Sequence, residues 1–167
     1  TDAVMLSGET ATGRYPLAAV RTMAKIIRET EGSKYDFMPI RQDITSVSTE
    51  EAISSVANIL AREVKAKVIL VASMSGETGR VVSRYRTELP AYVSTSDERV
   101  KRQMNVSWGV VPFLLPTCET VEELVERSVG YLKKERIVKR GDRMIVVAGE
   151  PVGVSGGVNL VEIRDVT

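Results

Sequence analysis

The sequence predicts an α/β fold: a three-layer α-β-α domain around a mostly parallel five-stranded sheet, preceded by a separate β-α unit. Three observations carry this. From residue 49 onward, strand-length apolar runs alternate with helix-period segments in the order α-β-α-β-α-β-α-β-β. The run KVILVAS (67–73) is continuously β-rich, as a strand covered by helices on both faces must be. Residues 32–48, with Gly32, Pro39, Asp43 and Ser46, hold no period and divide the N-terminal segment from the rest of the chain. The expected organisation is 1–31 as a first unit, 32–48 as a linker and 49–167 as the α/β domain.

Each element has its own signal. DAVML (2–6) reads as a buried strand. Pro16 opens a helix that runs to about Glu31, with Leu17, Val20, Met23, Ala24 and Ile27 at helical spacing. Ser48 followed by Glu51 is a capping box for the next helix, whose apolar face would be Ala52, Ile53, Val56, Ala57, Leu60 and Val64. SGETGR turns into a helix over 78–88, which Pro90 ends, and AYVST (91–95) is the next strand. Asp97 caps a short helix ending near Asn105. WGVVPFLL (108–115) is a strand shortened by Pro112. Thr120 and Glu123 form a second capping box, for a helix burying Val121, Leu124, Val125, Ser128, Val129 and Leu132. RGDRMIVVAG (140–149) is a strand entered through a Gly-Asp turn, and VNLVEIRDV (158–166) alternates as an antiparallel edge strand does.

The 167 residues are 43% hydrophobic and 27% charged, with net charge +1. This balance gives no pull toward nucleic acid or membrane. No apolar run approaches the ~20 residues needed to cross a bilayer, and no signal peptide is visible. A single cysteine, Cys118, excludes an intrachain disulfide and fits a reducing cytoplasm. The absence of histidine excludes Ser-His-Asp triads, Cys-His nucleophiles and His-ligated zinc. The chain opens at Thr1 directly into an apolar run and reads as a piece of something longer.

One tetrapeptide occurs twice, as Ser7-Gly8-Glu9-Thr10 and as Ser75-Gly76-Glu77-Thr78. A strand, a glycine turn and a helix N-terminus together form a generic anion site, because free N–H groups and the helix dipole point outward there. Ser75 and Thr78 add hydroxyl donors, and Arg80 adds a cation, while Glu77 opposes a highly charged ligand. A plain capped helix start explains the same turn equally well. The loop GEPVGVSGGVN (149–159) taken alone is a flexible hairpin connection. Its position, leaving the carboxyl end of a strand in the same sheet as the 73–79 turn, favours a shared pocket. No Walker A sequence is present. Glu122, Glu123 and Glu126 read as a solvated face, as does KKERIVKRGDR, and Tyr85 and Trp108 as core or interface. Cys118 precedes a helix, where a thiol pKa can fall, although lone cysteines are mostly inert.

Together these motifs are specific. TDAVMLSGETATGRYPLAAVRTMAKI resembles the end of the catalytic barrel of pyruvate kinase, with its D-x-x-M-L-S-G-E-T-A-x-G-x-Y-P pattern. VILVASMSGETGRVVSRYR through GDRMIVVAGEPVGVSGGVNLVEI resembles the C-terminal regulatory domain of the prokaryotic enzymes. The resemblance covers essentially the whole chain. It implies that 2–6 and 16–31 are the last strand and helix of a (β/α)8 barrel, with Ser7, Gly8 and Glu9 on the active-site rim. It implies a parent reaction transferring a phosphoryl group between phosphoenolpyruvate and ADP, with Mg²⁺ and K⁺. The groups that hold those ions and the catalytic lysine would belong to earlier strands, so no complete catalytic or metal site and no resident cofactor is expected here. Ser73, Ser75, Gly76, Glu77, Thr78, Gly79 and Arg80 would form the effector-phosphate turn, faced by an effector loop at Gly153, Ser155, Gly156 and Gly157. Four positions depart from the pattern. Thr12 replaces a lysine, Met74 and Glu77 stand where sugar-bisphosphate-regulated members are basic, and Leu124 lies on the helix where they carry an arginine. A sugar monophosphate or AMP is therefore the expected effector. The other expected partners are the rest of the chain and further copies of it, as a tetramer in the parent, with no nucleic acid or membrane. The alternative is a structural oligomerisation domain with a vestigial pocket.

Overall fold

A computed structural model describes residues 1–33, 48–73, 75–149 and 157–167. Most of the expected linker, Met74, and Gly153, Ser155 and Gly156 of the expected effector loop lie outside the described residues. The chain divides into two compact units, Thr1–Asp43 and Ile44–Thr167.

In the second unit the alternating segments build one sheet. Its strands are β1 (Val68–Ala72), β2 (Ala91–Thr95), β3 (Val110–Leu114), β4 (Arg143–Gly149) and β5 (Val158–Asp165), in the spatial order β3-β2-β1-β4-β5. β1 to β4 run parallel and β5 runs antiparallel to β4. Helices α3 (Thr49–Glu63), α4 (Glu77–Arg84) and α5 (Glu98–Met104) cover one face, and α6 (Val121–Lys134) covers the other. This arrangement results from handedness. The chain steps outward from β1 through α4 to β2 and through α5 to β3. To resume beside β1 on its far side with right-handed crossovers, it must return over the opposite face, and α6 is that return. Ile69, Val71, Ile145 and Val147 point into one core, and Leu70, Met144, Val146 and Ala148 into the other. That two-sided burial is why VILVA lacks alternation.

The caps form as the residue types dictate. Ser48 accepts from Glu51 N at 3.2 Å, and the Glu51 carboxylate takes Ser48 N–H, closing the predicted box. At α6, Thr120 accepts from Glu123 N at 3.1 Å, but the Glu123 carboxylate takes the N–H of Glu119 instead, so only half of that box forms.

Several expected boundaries and faces move. On α3 the expected Ile53, Ala57, Leu60 and Val64 pack on the core, but the most buried line is Ser54, Ala57, Asn58 and Ala61, while Ala52 and Val56 are exposed. Small side chains let the helix lie close to the sheet, and α3 is rotated to use them. α4 stops at Arg84 rather than 88, because Arg86 adopts a left-handed φ of 49°. β4 begins at Arg143, since Gly141 (φ 90°) and the Lys139 N–H to Asp142 carboxylate bond complete the turn first.

In the first unit, residues 2–6 form no strand. An apolar run supplies side chains for a strand but not the hydrogen-bonded neighbour that a strand requires. The first elements are α1 (Gly8–Ala11) and α2 (Pro16–Glu31), the latter starting with Pro16 as expected. Neither helix has a buried residue. Met23, Ala24 and Ile27 are half-buried, while Leu17 is 70% exposed and Met5 83%.

Candidate functional site

The second SGET sits where β1 hands over to α4. Gly76 is the N-cap of α4 with φ 78°, a left-handed conformation that glycine adopts without strain. The same turn demands absence of side chains. A Cβ at Gly76 would stand 2.9 Å from Met104 Sδ, and one at Gly79 would stand 2.9 Å from Val93 Cγ2. Both glycines therefore serve packing against α5 and β2, whatever else the turn does. Ser75 Oγ accepts from Glu77 N at 3.3 Å, and Ser73, nearly buried, donates its N–H to Ser94 O. Glu77 and Arg80 are exposed. Thr78 is 4% exposed, and its hydroxyl donates to Glu50 Oε1 at 3.0 Å.

The sheet order gives this turn a special position. β1 leads through α4 to β2 on one side, whereas β4, its other neighbour, leads to β5 away from it. The crevice at such a reversal, outside the carboxyl ends of the strands, is where open α/β sheets bind ligands. Val71 of β1 pairs with Val147 of β4, so the carboxyl ends of these two strands, at Ala72 and Gly149, lie at the same edge of the sheet. A Cβ on Gly149 would stand 2.5 Å from Gly157 O. These two glycines pinch the neck of the connection between β4 and β5. Ser73, Ser75, Gly76, Thr78 and Gly79 are thus gathered in one turn, with Gly157 on the adjoining neck.

One contributor escaped the sequence reading. Glu50 lies in the first turn of α3, and its partner Thr78 is 28 positions away. The signal was indirect: a helix that precedes a strand and returns antiparallel to it starts at the strand's carboxyl edge. Beside it, Glu51 meets Arg84 Nη1 at 3.5 Å, and its carbonyl accepts the Tyr85 hydroxyl at 3.0 Å. Burial, aided by the Glu51 carboxylate and opposed by Arg84, raises the Tyr85 pKa. The N-terminus of α3 is thereby fastened to α4.

The first SGET is built differently. Ser7 is the N-cap of α1 without a side-chain bond, and Ser7, Gly8 and Glu9 are exposed. The Ser7 N–H donates to Glu9 Oε2 at 3.0 Å. The backbone amide of Glu9 and then that of Ser7 hold the Glu9 carboxyl below its usual range.

Other candidates resolve into structure. Cys118 is buried and donates to Pro116 O, and burial, helped by Glu123 and opposed by Arg127, pushes its thiol up rather than down. Trp108 is half-buried, with the Arg86 guanidinium 5.1 Å above its ring. Glu122 and Arg164 form a two-pronged pair, at 2.5 and 3.1 Å, that ties α6 to β5. Leu124 is buried on α6. Among the described residues no group of three or more acidic or cysteine side chains is placed to hold a metal, and no helix is long and apolar enough to cross a membrane.

Residues 51–164 match the family described as pyruvate kinase, alpha/beta domain. A pyruvate kinase of Clostridium acetobutylicum is 39% identical over 166 residues, which is 98% of this chain and 35% of that protein. One of Sporosarcina psychrophila is 36% identical over 98% of this chain and 28% of its own length. The crystal structure of a pyruvate kinase from Cryptosporidium parvum superposes with a TM-score of 0.82 at 27% identity, covering all of this chain and 33% of the other. The chain thus spans about a third of the length of the relatives it matches.

Proposed function

The chain belongs to the pyruvate kinase family, and from that premise we propose that it is the C-terminal portion of such an enzyme. Its residues 1–31 would be the closing strand and helix of the catalytic barrel, 32–48 a linker, and 49–167 a regulatory domain. The parent transfers a phosphoryl group between phosphoenolpyruvate and ADP in the cytoplasm. Such transfer depends on positioning and charge neutralisation by Mg²⁺, K⁺ and basic side chains. This sequence supplies only the rim residues Ser7, Gly8 and Glu9, so the chain alone is inactive. A lactate-dehydrogenase-coupled assay checks this, and measurable turnover would refute it.

The role of the segment itself is to bind a phosphate-bearing effector and to contact other copies of the chain. The observation that carries the effector reading is the β1–α4 turn. In support, Ser73, Ser75, Thr78 and the N-terminus of α4, which begins at a glycine cap, follow β1 at the reversal point of the sheet. Glu77, Met74 and the buried Leu124 leave few cations, so the ligand is a sugar monophosphate or AMP rather than a bisphosphate. Gly153, Ser155, Gly156 and Gly157 would face it. Calorimetric titration with AMP, ribose 5-phosphate and glucose 6-phosphate tests this. Binding heat with at least one is expected; no heat and no thermal shift with any would overturn it.

A second reading, an oligomerisation domain with a vestigial pocket, draws on a specific observation. Packing against Met104 and Val93 accounts for Gly76 and Gly79 without any ligand. Exposed Val56, Ile59 and Ile163 supply apolar surface for self-association. Sedimentation of the chain distinguishes an oligomer from a monomer in either case.

A further inference from the structure

The Thr78 hydroxyl has one proton to donate, and Glu50 receives it at 3.0 Å. Thr78 is almost wholly buried, so no bulk water substitutes readily. Among the described residues no cation pairs with the Glu50 carboxylate. It brings negative charge, without a counter-ion, to the hydroxyl that a phosphate oxygen would need. The neighbouring acid behaves otherwise: Glu51 is engaged by Arg84 and Tyr85, which holds α3 on α4 independently of Glu50. One and two turns further along the face of Glu50 lie Ser54 and Asn58, at 0% and 4% exposure. Ser54 Oγ and Asn58 Oδ1 find no hydrogen-bond partner among the described residues.

We propose that Glu50 is a built-in competitor for the phosphate turn: a phosphate monoester binds by displacing the Glu50 carboxylate from Thr78. This rests on the effector reading above and adds how that site is regulated. Displacement releases the first turn of α3 from the turn while the Glu51 clamp persists, so ligand binding is converted into a local change at the start of α3.

The test is calorimetric titration of the full chain and three variants with inorganic phosphate, AMP and ribose 5-phosphate. E50A removes the competing acceptor and charge, E50Q removes only the charge, and E63Q changes net charge equally at the exposed far end of α3. Thermal melts confirm that each variant is folded. The expected result is that E50A binds about tenfold tighter than the unmodified chain, E50Q by a smaller factor, and E63Q within about twofold. If the unmodified chain binds and E50A binds no more tightly, or E63Q tightens as much as E50A, the competitor proposal fails and the effector reading stands. If neither the unmodified chain nor any variant binds any probe, the effector reading fails, and the competitor with it.

Discussion

One tetrapeptide begins a helix in each unit of this chain, with different results. In the first unit the helix starts at Gly8 with Ser7 as cap; in the second it starts at Glu77 with Gly76 as cap. A Cβ on Gly8 would touch nothing within 4 Å, whereas one on Gly76 would press on Met104. The Thr10 hydroxyl turns back to Ser7 O in solvent, and the Thr78 hydroxyl reaches a distant carboxylate in a nearly buried setting. Ser-Gly-Glu-Thr therefore specifies only that a helix begins nearby. The neighbours decide which residue caps it and where its hydroxyl points. The second copy is packed against α5 and β2 with its threonine nearly buried, and the first lies on an exposed helix start with no neighbour near its glycine.

Paired substitutions can break or sharpen this contrast. The largest effect is expected from M104A, which empties the fully buried side chain under the second turn and costs about 2–5 kcal/mol. M5A, at a side chain 83% exposed, changes stability by less than about 0.5 kcal/mol. Urea denaturation measures both, and equal losses would show that the first unit is packed as firmly as the second. Next comes G79A. Its methyl gains helix propensity but collides with a stiff valine, for a net loss of about 1–2 kcal/mol. Adding V93A should restore part of that loss, and the absence of any coupling would dismiss the packing explanation. T78V comes third. It strands Glu50 without its donor and costs about 1–2 kcal/mol, whereas T10V is near neutral.

The smallest effect concerns pH. Arg164, by its hydrogen bonds foremost, holds the Glu122 carboxyl below its ordinary range. A carboxylate whose pKa is depressed on folding stabilises the fold fully above its unfolded value, and that contribution disappears as pH falls through the folded value. The melting-temperature gap between the unmodified chain and E122Q should therefore be present at neutral pH and shrink well below about pH 4. A gap that stays constant into acid would mean that the pair contributes nothing through its charge. Glu122 is largely in solvent and Arg164 only half-buried, so water screens the pair, which is why this effect is ranked last.

The sequence made the α/β domain legible because each of its elements carries a local signal. Ser48 and Glu51 start α3, Asp97 starts α5, and VILVA declares a two-sided strand. It located the α3 face only in part: Ile53, Ala57, Leu60 and Val64 do pack on the core, but Val56 and Ala52 fit the apolar stripe as well as Ala57 and Ala61 do. Close approach to the sheet chose the small pair and accepted Ser54 and Asn58 into the core. DAVML misled for a related reason, since a strand is a relation between two segments and one segment cannot declare it. At the candidate site the hydroxyls and glycines were visible as types. The Glu50–Thr78 contact was not, since it depends on the register of α3 against α4 across 28 residues.

The most direct measurement is a titration of the ¹⁵N-labelled chain with ribose 5-phosphate and AMP, followed through backbone amide shifts. Saturable shifts are expected at Ser75 to Arg80 and none at Ser7 to Thr10. Shifts of equal size at both copies, or none at the second with either ligand, would contradict the assignment of the binding turn to the second copy.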